Sequence, residues 1–130
     1  MSFVVDTHPL LWHVAGAARR LSARARRAFA DADSGAITLH VPTMVLYEIV
    51  LLEGLGKIEG AYAPFVEQLQ LRPGYVIEPL ALQDIDEARA LAVIRDPFDR
   101  AIAATAVRVG LPLLTCDGFL TDLPALRTVW

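Results

Sequence analysis

Residues 96–120 read DPFDRAIAATAVRVGLPLLTCDGFL and combine a helix pattern, a helix stop and a short buried strand. Apolar residues recur at helical spacing from Phe98 to Val109, which predicts an amphipathic helix. Gly110 and Pro112 stop this helix, and the apolar run LPLLT predicts a strand that ends directly at Asp117. Helix, break and buried strand form half of a parallel βαβ unit, and ligands bind just beyond the carboxyl ends of such strands. Asp117 is therefore a candidate site residue.

Two acids at the start of the same helix, Asp96 and Asp99, allow two interpretations. In the first they are a helix cap and a first-turn residue, with Pro97 tolerated between them. In the second Asp99 joins Asp117 in a site. The rest of the chain is needed to choose between these two interpretations.

Composition limits the class of protein. The 130 residues are enough for one domain, residues 1–130, with its own core. Although 55% of the residues are hydrophobic, no apolar run approaches the roughly 20 residues needed to cross a bilayer, and the N-terminus does not resemble a signal peptide. The single cysteine, Cys116, is expected to be a small buried filler in a cytoplasmic protein. The net charge of −3 means that any nucleic-acid binding must use a local basic patch.

Short apolar strands alternate with helices along the chain. The first, Phe3 to Val5, is continuously apolar, which indicates burial on both faces, and it ends at Asp6. Thr7 is the expected N-cap of the next helix. Further strands are predicted at residues 36–41, at residues 75–77 and from about residue 127. The predicted fold is α/β, with three layers and a central, mainly parallel sheet of four to five strands flanked by helices.

The helix after the second strand carries an isolated carboxylate. It reads MVLYEIVLLEGL and is apolar on nearly every side, so it is expected to be covered on both sides. Within it Glu48 has no basic residue within one turn, and a buried carboxylate needs a cation, a metal or a raised pKa. Glu48 is therefore a further candidate, with a solvent-facing side chain as the alternative.

Other charged groups have simpler expected roles. Arg19, Arg20, Arg24, Arg26 and Arg27 form a basic zone that is either a solvated face or a contact for phosphates or an acidic partner. A helix predicted over residues 82–94 begins with dipole-favoured first-turn acids, namely Asp84, Asp86 and Glu87. His8 and His13 are expected to be surface or capping residues.

Four carboxylates are expected at one edge of a parallel sheet: Asp6, Glu48, Asp99 and Asp117. Like charges about 4 Å apart repel by about 4 kcal/mol per pair at an effective dielectric of about 20, and no Lys or Arg compensates them here. A divalent cation resolves this repulsion, and all-oxygen ligands select Mg²⁺ or Mn²⁺. Such an ion activates water and neutralises a phosphoryl transition state, which favours phosphodiester hydrolysis.

The segments FVVDTHPLLW, YEIVLLEGLGKI and DPFDRAIAATAVRVGLPLLTCDGFL together resemble the PIN-domain family, specifically the VapC-type toxins of bacterial toxin–antitoxin pairs. The resemblance covers nearly the full chain. It implies a PIN-like fold and a Mg²⁺- or Mn²⁺-dependent endoribonuclease, a homodimer, and a cognate antitoxin that lays a segment into the active-site groove. It also implies roles for the acids: Asp6, Asp99 and Asp117 hold the metal, and Glu48 positions or deprotonates water. Thr7 and Thr115 match supporting hydroxyl positions, and Asp96 is an auxiliary acid.

The middle motif departs from the family pattern, because Tyr47 and Leu52 stand where relatives often carry tryptophan and lysine. The missing cation leaves Arg95, Arg100 or the basic zone as the expected RNA contacts. Two other kinds of protein remain as alternatives to a nuclease. A phosphoacceptor receiver domain would need a late lysine, but the only lysine is Lys57 in a glycine-rich loop. A non-catalytic PIN-like module that binds RNA or protein is the other alternative, and retention of all four acids argues against it.

Overall fold

The fold is built on a parallel β-sheet. The structure, a computed structural model, describes all residues from 1 to 130. It contains five strands, β1 Phe3–Val5, β2 Leu39–Pro42, β3 Tyr75–Glu78, β4 Leu113–Leu114 and β5 Thr128–Val129. All four neighbouring pairs of strands are parallel, in the order β3-β2-β1-β4-β5. The predicted α/β class and parallel sheet are confirmed.

Helices connect the strands and flank the sheet. They are α1 Thr7–Val14, α2 Ala23–Asp33, α3 Thr43–Gly54, α4 Tyr62–Gln70, α5 Leu82–Ala90, α6 Pro97–Val109 and α7 Gly118–Thr121, with a 3-10 turn at Ala18–Arg20. Helix α1 packs against α2, α3 and α4, whereas α5 and α6 pack against each other and α6 also contacts α3. None of these helices has the length and apolarity that a membrane crossing requires.

The strand order reverses between β1 and β4. After β1 the chain adds β2 and β3 on one side, then crosses through α5 and α6 to place β4 and β5 on the other side. Helices that follow two such neighbouring strands leave a crevice between them at the carboxyl edge of the sheet. The residues that follow β1 and β4 therefore occupy the position where α/β proteins bind ligands.

The two central strands are buried on both faces. Val4 and Val5 in β1 and Leu113 and Leu114 in β4 are all fully buried. The interpretation of their continuous apolarity is thus confirmed, because both faces of the sheet are covered. Each strand ends when the chain leaves this apolar layer, and a polar residue follows at once.

Some predicted boundaries were wrong for local reasons. Strand β2 begins at Leu39 rather than Ala36, because the N–H groups of Ala36 and Ile37 donate to the Asp31 carbonyl and close the end of α2. Helix α5 ends at Ala90, before the predicted end at Ile94. Helix α6 ends as predicted, with Gly110 in the left-handed conformation at φ 72°.

The predicted roles of three side chains were also wrong, and a fourth makes a contact that was not predicted. The N-cap of α1 is Asp6, and Thr7 is the first helical residue. Cys116 is exposed. Asp84 is a first-turn acid of α5 as predicted, but it is also 0% exposed and pairs with Arg108 of α6. His13 is half-buried, stacks on Phe29 and lies 2.9 Å from Asp33, so it is not a free surface residue.

Candidate active site

Asp6 is fixed in place at the carboxyl end of β1. Its Oδ1 accepts a 2.8 Å hydrogen bond from the Thr7 N–H, and its Oδ2 accepts a 2.7 Å bond from the Thr115 hydroxyl. Only 8% of the residue is exposed. Burial raises the pKa of Asp6, while the Thr115 and Thr7 hydrogen bonds favour the ionised form and oppose that rise. Asp6 is therefore a preorganised carboxylate rather than a mobile surface acid.

Glu48 reaches the same place from α3. Its Oε1 accepts a hydrogen bond from the Thr7 hydroxyl, a contact between residues 41 positions apart. Burial raises the pKa of Glu48, the Thr7 bond lowers it, and the Asp6 carboxylate raises it again. The predicted solvent-facing alternative does not describe this half-buried side chain. Thr7 therefore links the strand end to the carboxylate of α3.

Asp117 follows β4 on the other side of the crevice. Its N–H donates to the Thr115 hydroxyl at 3.1 Å, and its Oδ1 caps α7 by accepting from the Leu120 N–H at 3.1 Å. The same Thr115 hydroxyl donates to Asp6, so one side chain joins the ends of β1 and β4. The supporting positions expected for Thr7 and Thr115 lie where these two hydroxyls contact the acids.

Asp96 and Asp99 approach from the start of α6, and the cap interpretation holds for Asp96. Asp96 is the N-cap, because its Oδ1 accepts a 2.9 Å hydrogen bond from the Asp99 N–H. The Asp99 carboxylate, in contrast, has no hydrogen bond to any protein group. Its oxygens are therefore free to bind a ligand.

The charges of all these acids meet at Asp99. Burial is the main cause that raises the pKa of Asp99 to about 7, and the carboxylates of Asp6, Asp96, Glu48 and Asp117 raise it further, in that order. Asp6, Glu48 and Asp117 are far from Asp99 in sequence, so they can act on it only if they are close in space. The structure thus brings together the four predicted acids, and it adds Asp96 to their electrostatic neighbourhood.

The donor set suits a hard divalent cation, although the side chains do not form a ready three-ligand cage. No group of three Asp, Glu, His or Cys side chains is close enough to ligate one ion directly. Mg²⁺ keeps several waters and often uses only one or two direct carboxylates, so this spacing suits ligation partly through water. The unbonded Asp99 carboxylate and the buried, hydrogen-bonded Asp6 carboxylate are the chemically appropriate ligands.

The two arginines expected to contact RNA lie outside this cluster. Arg95 and Arg100 line a groove of about 370 Å³ between α5 and α6. The Arg100 Nε donates to the Ala88 carbonyl at 2.7 Å, so this guanidinium is partly occupied in holding the two helices together. Arg95 is exposed in the turn before Asp96. Contact of either residue with RNA stays a prediction.

Sequence reasoning missed the effect of His8 on Asp6 and Glu48. A protonated His8 lowers the pKa of Asp6 and of Glu48, which are raised mainly by burial. It follows Thr7 on the first turn of α1 and is exposed. The signal that could have revealed it is its position two residues after a strand-ending acid.

Five acids lie where the strand order of a parallel sheet reverses, which is the usual position of a ligand site in an α/β protein. Comparison of the sequence with protein families then identifies the family. The family model described as PIN domain matches residues 3–125. The chain belongs to the PIN-domain family. No curated protein matches the chain.

Solved structures with the same fold come from several bacteria. VapBC2 from Rickettsia felis, bound to a promoter DNA fragment, has a TM-score of 0.75 at 15% identity and covers 100% of this chain and 99% of that chain. DNA-bound VapBC from Salmonella typhimurium has a TM-score of 0.69 at 17% identity, with 99% and 97% covered. VapC20 from Mycobacterium tuberculosis, a sarcin-ricin-loop-cleaving toxin, has a TM-score of 0.59 at 20% identity, with 96% and 98% covered.

Proposed function

We propose that residues 1–130 form a single nuclease domain that hydrolyses RNA phosphodiester bonds with Mg²⁺, for which Mn²⁺ substitutes. The observation that carries this proposal is the convergence of Asp6, Glu48 and Asp117 at the carboxyl edge of the sheet, where the Thr7 and Thr115 hydroxyls connect them. Burial and the carboxylates around it, Asp96 included, also raise the pKa of Asp99 to about 7. No Lys or Arg forms an ion pair with any of these five acids. An uncompensated cluster of this kind is typical of a divalent metal site.

Asp6, Asp99 and Asp117 are the residues that would hold the metal, directly or through water. When bound, a divalent ion lowers the pKa of water and neutralises charge on the phosphoryl group. Asp6 supplies a fixed oxygen, because two hydrogen bonds orient its carboxylate. Asp99 and Asp117 face it from α6 and from the end of β4.

Glu48 is the proposed general base. A carboxylate whose pKa is raised by burial is a stronger base than an exposed carboxylate. The Thr7 hydroxyl holds one oxygen of Glu48, so the other is left to orient or deprotonate a water molecule. Asp96 is the proposed auxiliary acid, because it caps α6 and adds negative charge beside Asp99.

We further propose a cytoplasmic toxin role with a cognate antitoxin as partner. Support comes from the structural relatives, of which two are VapBC assemblies bound to DNA and one is a toxin that cleaves the sarcin-ricin loop. A toxin–antitoxin complex from Klebsiella pneumoniae shares the fold at a TM-score of 0.64 and 15% identity, with 97% of this chain and 96% of that chain covered.

An exposed apolar strip on α3 supports association with another chain. Tyr47, Val50, Leu51 and Leu55 are between 43% and 64% exposed, and Tyr47 stacks on Phe98 at the start of α6. The expected cover of α3 on both sides therefore needs another chain and stays a prediction. We propose that a second copy of the chain covers this strip and forms a homodimer.

The test of the nuclease proposal uses the purified full chain with a labelled single-stranded RNA. Cleavage is expected with Mg²⁺ or Mn²⁺, and it should stop with a chelator or with Asp99→Asn. Asp86→Asn is the matched control, because Asp86 is exposed on α5 and is not among the acids that act on Asp99. RNA binding without cleavage under any metal condition would favour the non-catalytic PIN-like module instead.

A further inference from the structure

Phosphate groups that approach five carboxylates need cations along their path, and most of the 12 Lys and Arg side chains are already occupied or lie elsewhere. Three arginines form ion pairs, namely Arg27, Arg72 and Arg108. Arg100 and Arg127 donate to backbone carbonyls. Among the remaining cations, Arg20 and Lys57 line one cavity. Neither of them has an ion pair or a side-chain hydrogen bond within the protein, so both are free to bind an anion.

The cavity that Arg20 and Lys57 share is a groove of about 600 Å³ between α1, the 3-10 turn and the segment after α3. Trp12 and His8 form part of its wall, and Glu59 is its only acidic residue. Cations and aromatic rings therefore dominate its polar surface. This combination is typical of channels that bind single-stranded nucleic acids.

The groove opens beside the acidic cluster. His8, which lines it, acts electrostatically on Asp6 and Glu48. Arg20 lies near Cys116, the residue before Asp117. Although exposed, the Cys116 thiol rests against protein atoms, and this partial desolvation raises its pKa, as does the Asp6 carboxylate, whereas the Arg20 guanidinium lowers it. An RNA strand bound at the acids would therefore continue directly into the groove.

Aromatic contacts hold Arg20 in the groove wall. Its guanidinium carbon lies 4.4 Å from the centre of the Trp12 ring, which is a cation–π contact. The Trp130 ring packs edge-on against Trp12, with 6.3 Å between their centres. Because the indole supports one face of the guanidinium and no protein acceptor takes its N–H groups, those groups stay available to a ligand.

We propose that this groove binds the single-stranded RNA segment next to the cleaved bond, with Arg20 and Lys57 contacting phosphates and the Trp12–Arg20 stack supporting a base. The inference rests on the proposed ribonuclease function and names the substrate-binding part of that site. Two unpaired cations beside a hydrolytic cluster favour a polyanion over a protein segment as the occupant. Trp12 and Arg20 are substrate-positioning residues that do not touch the reacting atoms.

Tryptophan fluorescence reads this groove directly, because the only two tryptophans, Trp12 and Trp130, contact each other at its wall. The experiment uses full-length Asp99→Asn protein with Mg²⁺, which blocks cleavage, and adds Trp130→Phe so that Trp12 is the single reporter. A mixed-sequence single-stranded RNA oligonucleotide is titrated, and both Trp12 emission and RNA anisotropy are followed. We expect both signals to change over the same RNA concentrations.

The charge variants are compared in the same background. Arg20→Ala and Lys57→Ala should each weaken RNA binding several-fold and reduce the slope of log affinity against log salt by about 0.7. Arg127→Ala is the matched control, since Arg127 is exposed just before β5, has no ion pair and does not line the groove. Arg95→Ala tests the rival groove between α5 and α6. Wild-type folding of each variant is checked by thermal denaturation.

Three results would overturn the inference. RNA binding with unchanged Trp12 emission would place the strand elsewhere, and so would a loss in Arg95→Ala that Arg20→Ala does not share. If the Arg20→Ala and Lys57→Ala variants kept full RNA affinity but bound a partner protein more weakly, the groove would be a protein-binding site. In all three cases the wild-type chain still cleaves RNA. A wild-type chain that neither cleaves nor binds RNA would instead refute the proposed function.

Discussion

The Thr115 hydroxyl donates a 2.7 Å hydrogen bond to Oδ2 of Asp6, across 109 residues of sequence. The bond connects the carboxyl ends of the two central strands, and Thr115 also accepts from the Asp117 N–H. Asp6 and Thr115 are both buried. One hydroxyl therefore sets the relative position of two proposed metal-binding acids.

Thr115→Val should reduce both activity and stability. The substitution keeps the shape of the side chain but leaves the buried Asp6 oxygen without a donor, which costs about 1–3 kcal/mol. Urea unfolding should detect this loss, and cleavage assays should require more Mg²⁺ for half-maximal rate. Thr128→Val in β5 is the control, since the Thr128 hydroxyl makes no hydrogen bond. Equal effects of the two substitutions would contradict the role of Thr115.

Asp99→Asn should make the metal-free chain more stable at alkaline pH. The folded-state pKa of about 7 lies above the ordinary aspartate value of 3.8, so between these two values the folded chain holds a proton that the unfolded chain releases. Wild-type stability therefore falls as pH rises from about 4 to about 7, and it stays low above that range. Asp99→Asn removes this part of the pH dependence.

Thermal denaturation in chelator at pH 5 and pH 8 checks the Asp99 prediction. The difference between the melting temperatures of wild type and Asp99→Asn should be larger at pH 8. Added Mg²⁺ should stabilise wild type at pH 8 more than the variant. A variant that follows the wild-type pH profile throughout would show that Asp99 does not carry the raised pKa.

Glu48→Gln should slow cleavage by about 100-fold or more, the usual contribution of a general base. Because burial raises the pKa of Glu48, the wild-type rate should rise with pH as this group ionises. Gln keeps an acceptor for the Thr7 hydroxyl, so the fold is preserved. Single-turnover rates across pH measure the effect, with the exposed Glu67→Gln on α4 as control. If the cleavage rate of the variant still rose with pH as it does in wild type, Glu48 would be excluded as the base.

Leu55→Glu should convert a dimer to a monomer. Leu55 is 57% exposed within the apolar strip of α3, and a charge there cannot be buried against a second copy without a large cost. Sedimentation analysis should give twice the 14.2 kDa chain mass for wild type and the single mass for the variant. Leu71→Glu, at a position that is 77% exposed just after α4, should stay dimeric. A monomeric wild type would refute the homodimer.

Much of the fold could be predicted because the decisive signals are local. Continuous apolarity in β1 and β4 indicated two-sided burial, and Gly110 marked the end of α6. From a parallel sheet alone it followed that Asp6 and Asp117 share an edge. The position of Glu48 was predicted from its isolation in an apolar helix, which is also a local property.

The contacts that sequence could not reveal join side chains from different helices. The Arg108 guanidinium binds the buried Asp84 carboxylate across α5 and α6, although Asp84 alone resembles an ordinary first-turn acid. In the sequence Arg20 cannot be distinguished from the other four arginines of the basic zone, and only the fold shows its contact with Trp12. Helix patterns give the apolar face of each helix but not its angle or its neighbour, so such pairs depend on packing.

The 109-residue separation of Asp6 and Thr115 has a consequence for the making of the protein. On a ribosome, the chain emerges with Asp6 first, while β4 and Asp117 appear only near the end of translation. Any chain whose synthesis stops early lacks the central strand beside β1 and one of the clustered acids. We therefore expect fragments left by interrupted translation to lack the proposed nuclease activity.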